Sequence, residues 1–235
     1  MPILLQLIKE VKELAGLDLS DQNGVFQRRK DEDLETTNKE IVPAINELNS
    51  IVNPFTITSY TVNNTVFEMG SSNEVVLRWT CNENVKSQTI NNETLDNSLR
   101  SKSYSKVTNN TTYVLNCVST KDVSRSKSLS INFYNGIYYG VSSNVNYSAG
   151  LIGLFPKTLS NSKSRTINVN AATGQYIYYC LPSRLGVPTF NVGGFEGGFS
   201  LVSTVNFTNP SGYTEKYDIY KGTNSGLGIT TVVIS

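Results

Sequence analysis

The chain has 235 residues, with 20 lysines and arginines against 19 aspartates and glutamates, and its net charge of +1 argues against a nucleic-acid-binding surface. It contains no histidine, which removes the commonest general base and metal ligand. Its three cysteines, Cys81, Cys117 and Cys180, are too few for a disulfide scaffold or a metal cluster, so we expect no catalytic residues, no metal and no cofactor.

The composition favours β-structure. The polarity comes mainly from Asn, Ser and Thr, which accompany 13 tyrosines, 9 phenylalanines and 17 glycines. Aromatic and β-branched residues favour strands, while asparagine and glycine supply the positive-φ positions of tight turns. The N-terminus shows no signal-peptide pattern, and no segment reaches the roughly 20 apolar residues of a membrane span. We therefore expect no membrane insertion and no export by a signal of its own.

Two short amphipathic helices are predicted in an N-terminal anchor or oligomerisation segment, residues 1–53. In each, apolar residues alternate at spacings of three and four, as in a helix with one apolar seam. The seams consist of Leu4, Leu7, Val11 and Leu14, and of Ile41, Ile45, Leu48 and Val52. Isoleucine at two core positions of the second seam favours a trimeric coiled-coil stalk. Packing of the seams on the chain's own β-domain is the alternative.

Residues 54–135 show the period-two alternation of strands. In one such strand Val75, Leu77, Trp79 and Cys81 share a face. About seven short strands fit into this length, which is typical of an immunoglobulin-like β-sandwich. Cys81 and Cys117 fall on inward faces, so both a disulfide across the core and a pair of buried free thiols remain open, with free thiols expected.

Residues 136–235 form a second β-rich block, predicted to be a C-terminal antiparallel sandwich. Its apolar alternation includes Ile229, Thr231 and Val233 near the C-terminus. A Gly-rich run over residues 193–198 separates two strand patterns and lacks the Lys-Ser/Thr ending of a phosphate loop. We expect it to be a tight connection that exposes Phe195 and Glu196. These two residues and Tyr147, in a predicted loop, are candidates for surface binding, because aromatic faces suit stacking on sugar rings.

Three segments resemble proteins of tailed bacteriophages. The sequence TTNKEIVPAINELNS, residues 36–50, resembles a helix of phage fibre and tail proteins that reads Ile-Val-x-Ala-Ile-Asn-Glu-Leu-Asn, and departs from it at Pro43, where glycine is usual. The segments EVVLRWTCNENVKSQTIN, TTYVLNCVST and SINFYNGIYYGVSS resemble an immunoglobulin-like module in structural proteins of crAss-like and other Bacteroidales phages. Residues 174–228 resemble the C-terminal domain of similar fibres.

The resemblance implies a head fibre or short tail fibre of the virion. Such a protein would be a homotrimer assembled in the bacterial host cytoplasm, anchored to capsid or tail proteins through its N-terminal region. Its β-domains would face the host surface, where a glycan is the expected partner. The resemblance carries no catalytic residues.

Two other functions are weighed against this one. A bacterial surface adhesin built of immunoglobulin-like modules would carry an export signal or a lipoprotein cysteine, and residues 1–20 contain neither. A capsule-degrading enzyme would need two carboxylates across a cleft, and residues 136–235 offer only Glu196, Glu215 and Asp218. We therefore expect a non-enzymatic structural protein.

Overall fold

The computed structural model describes residues 41–235, without the side chains of residues 41–44 and 50. The first predicted seam, Leu4 to Leu14, lies outside the described residues. The described chain is mainly β, as the composition predicts, and its sheets are largely antiparallel. Residues 57–235 form one compact unit, and the described residues 41–56 do not belong to it.

The helices are α1 (Ile41–Val52) and the short α2 (Ala149–Ile152), and a 3-10 turn covers Ser183–Leu185. The strands are, in chain order, β1 (Ile57–Val62), β2 (Val66–Glu68), β3 (Asn73–Cys81), β4 (Val85–Ile90), β5 (Glu93–Leu95), β6 (Ser101–Val107), β7 (Thr111–Ser119), β8 (Ser124–Ser142), β9 (Lys157–Ser160), β10 (Arg165–Ala171), β11 (Tyr176–Pro182), β12 (Phe190–Val192), β13 (Phe195–Glu196), β14 (Phe199–Thr208), β15 (Thr214–Gly222) and β16 (Gly228–Ile234).

Helix α1 coincides with the second predicted seam. Pro43 is the third residue of the described helix, and the N–H groups of a helix's first turn have no acceptor within the helix, so a proline costs little there. Of the seam residues, Ile45 and Leu48 are half-buried and Val52 is 56% exposed. The helix ends at Val52, and the backbone N–H of the next residue, Asn53, donates to the Asn49 carbonyl at 2.9 Å. The part that this helix plays in self-association stays a prediction.

Strands β1, β3 and β6 form a three-stranded sheet that packs face to face on strands β4, β7 and β8 of a larger sheet. Several contacts join the two layers. Trp79 Nε1 donates to Gln88 Oε1 at 2.9 Å, Tyr60 Oη donates to the Tyr113 carbonyl at 3.4 Å, and the Tyr104 and Tyr113 rings lie 4.8 Å apart. The predicted alternation in β3 matches its burial, since Val75, Leu77 and Trp79 point inward. A buried core therefore lies between the layers.

Strand β8 links the two halves of residues 57–235. Its first part pairs with β7, its last part pairs with β11, and β2 and β9 pair with its middle. The resulting nine-stranded sheet has the order β14-β15-β11-β8-β7-β4-β5 along its main path. Asn135, at which the sequence pattern divides the two β-blocks, lies inside this continuous strand. The three-module division of the chain stays a prediction.

In the C-terminal half the large sheet is covered on both faces. One face packs on a four-stranded sheet of order β10-β16-β12-β13, and its core includes Ile177, Tyr179 and Val232. The opposite face is covered by α2 and its flanking residues, with Leu151, Ile152 and Phe155 in the core. Burial on both faces explains why β11 is almost continuously apolar.

Candidate binding surface

The Gly-rich run folds into a tight hairpin between β12 and β13. Asn191 pairs with Glu196 and Val192 pairs with Phe195, which leaves Gly193 and Gly194 as a two-residue turn. Their φ angles of +57° and +95° are those of a type I′ turn, which suits the twist of two antiparallel strands and requires residues that tolerate positive φ. Glycine at both positions therefore determines the hairpin.

Packing fixes the base of this hairpin. The Phe190 and Phe199 rings stack at a centroid distance of 4.2 Å and an interplanar angle of 9°. The backbone N–H of Gly197 donates to the Phe190 carbonyl at 2.8 Å, and that of Thr223 donates to the Gly198 carbonyl at 2.9 Å. The hairpin is thus tied to the core although its tip extends beyond it.

Of the three residues predicted to bind at the surface, Phe195 and Glu196 are exposed on the hairpin, whereas Tyr147 lies on another part of the molecule. Phe195 is 81% exposed at the tip and is followed by exposed Glu196. Tyr147 is half-buried and packs on the core beneath α2, which lies on the opposite face of the large sheet from the core beneath the hairpin. Phe195 and Glu196 are therefore consecutive on one edge strand, with their side chains on opposite faces of the hairpin, and Tyr147 does not join them.

The outer face of the four-stranded sheet extends from the hairpin and was not singled out from the sequence. Cross-strand pairs on this face join Thr166 to Val233, Asn168 to Thr231, and Asn170 to Ile229. All six side chains are exposed, with Ile229 at 88% and Val233 at 44%. The Ile-Asn-Val-Asn alternation of β10 is the sequence signal that could have identified it.

Most tyrosines are core residues rather than binding residues. Burial raises the pKa of Tyr178 and of Tyr179 to about 12 and raises that of Tyr217 further. Each of these hydroxyls donates to a backbone carbonyl, of Asn144 at 2.7 Å, Lys163 at 2.6 Å and Gly136 at 2.8 Å respectively. Tyrosine abundance thus reflects packing of the large sheet.

The two carboxylates of β15, Glu215 and Asp218, are held by other side chains. Arg184 Nε lies 2.8 Å from Glu215 Oε1, and the buried Asn135 amide donates to the other Glu215 oxygen. Ser183 and Thr204 hydroxyls both donate to Asp218 Oδ1 at 2.7 Å. These contacts give Glu215 and Asp218 a structural role in the fold.

Within residues 41–235, no group of three or more Cys, Asp or Glu side chains is placed to hold a metal ion. In the same part of the chain, every helix is too short or too polar to cross a membrane. All three cysteines are free, with Cys117 and Cys180 buried and Cys81 half-buried.

Comparison with known proteins gives no assignment. No protein family matches the chain, and no curated protein matches it. Among solved structures, chitinase ChiA74 from Bacillus thuringiensis is similar at 9% identity and a TM-score of 0.25, over 88% of this chain and 32% of the chitinase chain. The chain thus spans about a third of the length of that protein.

Proposed function

We propose that the chain is a non-enzymatic fibre or short appendage subunit of a tailed-bacteriophage particle, with Phe195 and Glu196 contacting a glycan of the host surface. Its N-terminal segment would anchor it to capsid or tail proteins and join three copies. The observation that carries the adhesive part is the 81% exposure of Phe195 on a glycine-built hairpin fixed to the core.

The strand arrangement supports the two-sandwich architecture of such a subunit. In residues 57–135, one layer contains β1, β3 and β6 and the other contains β4, β7 and β8, with β2 running parallel to β8. Antiparallel layers of this composition favour an immunoglobulin-like sandwich. The second sandwich, in residues 136–235, would consist of the C-terminal part of the large sheet and the four-stranded sheet.

The chemistry of the hairpin suits a sugar. An aromatic face packs on the C–H groups of a pyranose ring, and a carboxylate accepts hydrogen bonds from its hydroxyls. Leaving a phenylalanine side chain in water forgoes about 2 kcal/mol of burial free energy, which a ligand that covers the ring would recover. A rigid hairpin also reduces the entropy lost on binding.

Replacing Phe195 by alanine tests the adhesive part. We expect binding of the fluorescently labelled full chain to host cells to fall about tenfold or more, because one aromatic contact is lost. Phe195→Tyr, which keeps the ring, should bind normally. Both variants should unfold at the same denaturant concentration as the wild type, since Phe195 contributes little to the core. Unchanged binding by Phe195→Ala would contradict the assignment.

Location in the particle is tested by immunogold electron microscopy of purified phage together with mass spectrometry of the particles. We expect label on an appendage of the head or tail. Absence from particles, or label on the surface of uninfected bacteria, would overturn the virion assignment and favour a bacterial adhesin.

The proposed trimer is tested by placing a charge on the seam of α1. We expect Leu48→Asp to reduce the sedimenting mass of the full chain, because a carboxylate in a coiled-coil core loses its hydration without gaining a partner. Asn49→Asp adds the same charge at the adjacent position and keeps an acceptor for the Asn53 amide, so it should leave the mass unchanged. Equal masses for wild type and Leu48→Asp would contradict the stalk.

A further inference from the structure

The outer face of the four-stranded sheet has the chemistry of a site for an uncharged polar polymer. Its outward residues on β10, β16 and β12 carry amide, hydroxyl and aliphatic groups, and none of them is charged. They are Thr166, Asn168, Asn170, Asn191, Ile229, Thr231 and Val233. Glu196 lies opposite Asn191 at the edge of this face and continues it into the hairpin.

The amides of this face are available to a ligand. Thr231 Oγ1 donates to Asn168 Oδ1 at 2.7 Å, which orients the Asn168 amide nitrogen as a donor. Within the described part of the chain, no hydrogen bond holds the Asn170 or Asn191 side chain. An asparagine side chain both donates and accepts hydrogen bonds, as a sugar hydroxyl does. Each of these amides can therefore bond to two neighbouring hydroxyls of one sugar.

The aliphatic groups complement these amides. Ile229 and Val233 point outward from the same strand, four residues and therefore about 13 Å apart. They lie between the asparagines of β10 and the Asn191 side of the sheet, because β16 is the strand between β10 and β12. A polymer with alternating C–H patches and hydroxyls fits such a surface, whereas a second copy of the chain would need a more continuous apolar face.

We propose that this face, which we call the amide face, binds a neutral polysaccharide lying across the strands from Asn170 toward Glu196, whose side chain shares this face with Asn191. The inference deepens the proposed adhesive function and rests on it. A neutral ligand is favoured over an acidic one because the face offers no cation, and Glu196 at its edge would repel carboxylate or sulfate groups.

The test uses the labelled full chain on an array that carries neutral glucans, galactans and mannans beside uronate-containing and sulfated polysaccharides. We expect binding to neutral polysaccharides that changes little between low and high salt. The double variant Asn170→Ala/Asn191→Ala should bind about tenfold more weakly, since two hydrogen bonds are lost. Asn206→Ala, at an exposed asparagine of β14, is the matched control and should bind normally.

Each contrary result has a separate meaning. Salt-sensitive binding to acidic polysaccharides would overturn the neutral ligand but leave adhesion standing. Loss of binding in Phe195→Ala with full binding in the double variant would overturn the amide face and keep the hairpin. No binding to any polysaccharide would overturn both adhesion and the amide face. A drop in sedimenting mass for Ile229→Glu, but not for Ile229→Gln, would identify the face as a contact between copies instead.

Discussion

The buried tyrosines show how single hydroxyl groups are accommodated in this fold. Tyr217 and Tyr138 both pack in the core beneath α2, with their rings 5.9 Å apart. The Tyr217 hydroxyl donates to the Gly136 carbonyl at 2.8 Å, whereas the Tyr138 hydroxyl is buried and has no partner in the described residues. The same group is therefore stabilising at one position and costly at the other.

Removing these two hydroxyls should have opposite effects on stability. We expect Tyr138→Phe to leave the free energy of unfolding unchanged or to raise it by about 1 kcal/mol, because it removes an unpaired polar group. Tyr217→Phe should lower it by about 1 kcal/mol, because the Gly136 carbonyl loses a partner. Denaturant unfolding followed by the fluorescence of Trp79 measures both. A greater loss in Tyr138→Phe than in Tyr217→Phe would show that Tyr138 has a partner in solution.

At the scale of elements, the sequence predicts that strands are present better than it predicts where each strand ends or which of its faces is buried. Asn135-Gly136 is a sequence typical of turns, yet β8 continues through it because the Asn135 side chain is buried against Glu215, a contact 80 residues away. Strand β16 carries apolar residues on both faces, and the structure turns Val232 and Ile234 inward and Val233 outward. Period alone cannot choose between two apolar faces.

The turn between β2 and β3 packs directly on the turn between β14 and β15. The Asn209 amide donates to the Met69 carbonyl at 2.8 Å, and the Ser211 hydroxyl donates to Glu68 Oε2 at 3.0 Å. A Cβ atom added to Gly70, which has a φ of +88°, would lie 2.7 Å from Tyr213 Cβ. Glycine is therefore required there by both backbone conformation and space.

Two glycine substitutions separate these causes. Gly212→Ala, at a φ of +82° with open space around it, should cost only about 1–2 kcal/mol for the left-handed backbone. Gly70→Ala should cost about 1–3 kcal/mol more, because the two turns must move apart. The difference is measured by comparing the denaturant midpoints of the two variants, provided that the dependence of the free energy of unfolding on denaturant concentration is unchanged. Equal losses in both variants would mean that the turns do not pack closely.

At the scale of the whole molecule, the N-terminal and C-terminal β-blocks share side chains across β8. Lys157 Nζ on β9 lies 2.6 Å from Glu68 Oε1 on β2, and that carboxylate also accepts from Ser211. Such contacts join residues far apart in sequence, so composition and period could predict two β-blocks but not their junction. For the candidate site, the exposed hairpin could be predicted from the glycine run because glycine sets the local backbone conformation. The burial of Tyr147 could not, because it depends on packing against residues distant in sequence.

The pH dependence of stability follows from buried phenols and a buried thiol. Burial raises the pKa of Tyr60, Tyr138, Tyr178 and Tyr179 from 10.0 to about 12, and raises that of the Cys117 thiol from 9.0 to about 12. In each case the folded state holds its proton more tightly than the unfolded state does. This stabilisation is complete below the unfolded pKa and is lost as the pH rises through the folded pKa.

We therefore expect the free energy of unfolding to change little between about pH 6 and 8, since the chain contains no histidine, and to fall from about pH 9 upward. Denaturant unfolding at a series of pH values, followed by the single tryptophan, measures this, and tyrosinate absorbance reports the ionisation itself. Tyr138→Phe removes one of the raised groups and should make the alkaline fall shallower. Stability that holds or rises toward pH 11 would show that these hydroxyls reach water in the folded protein.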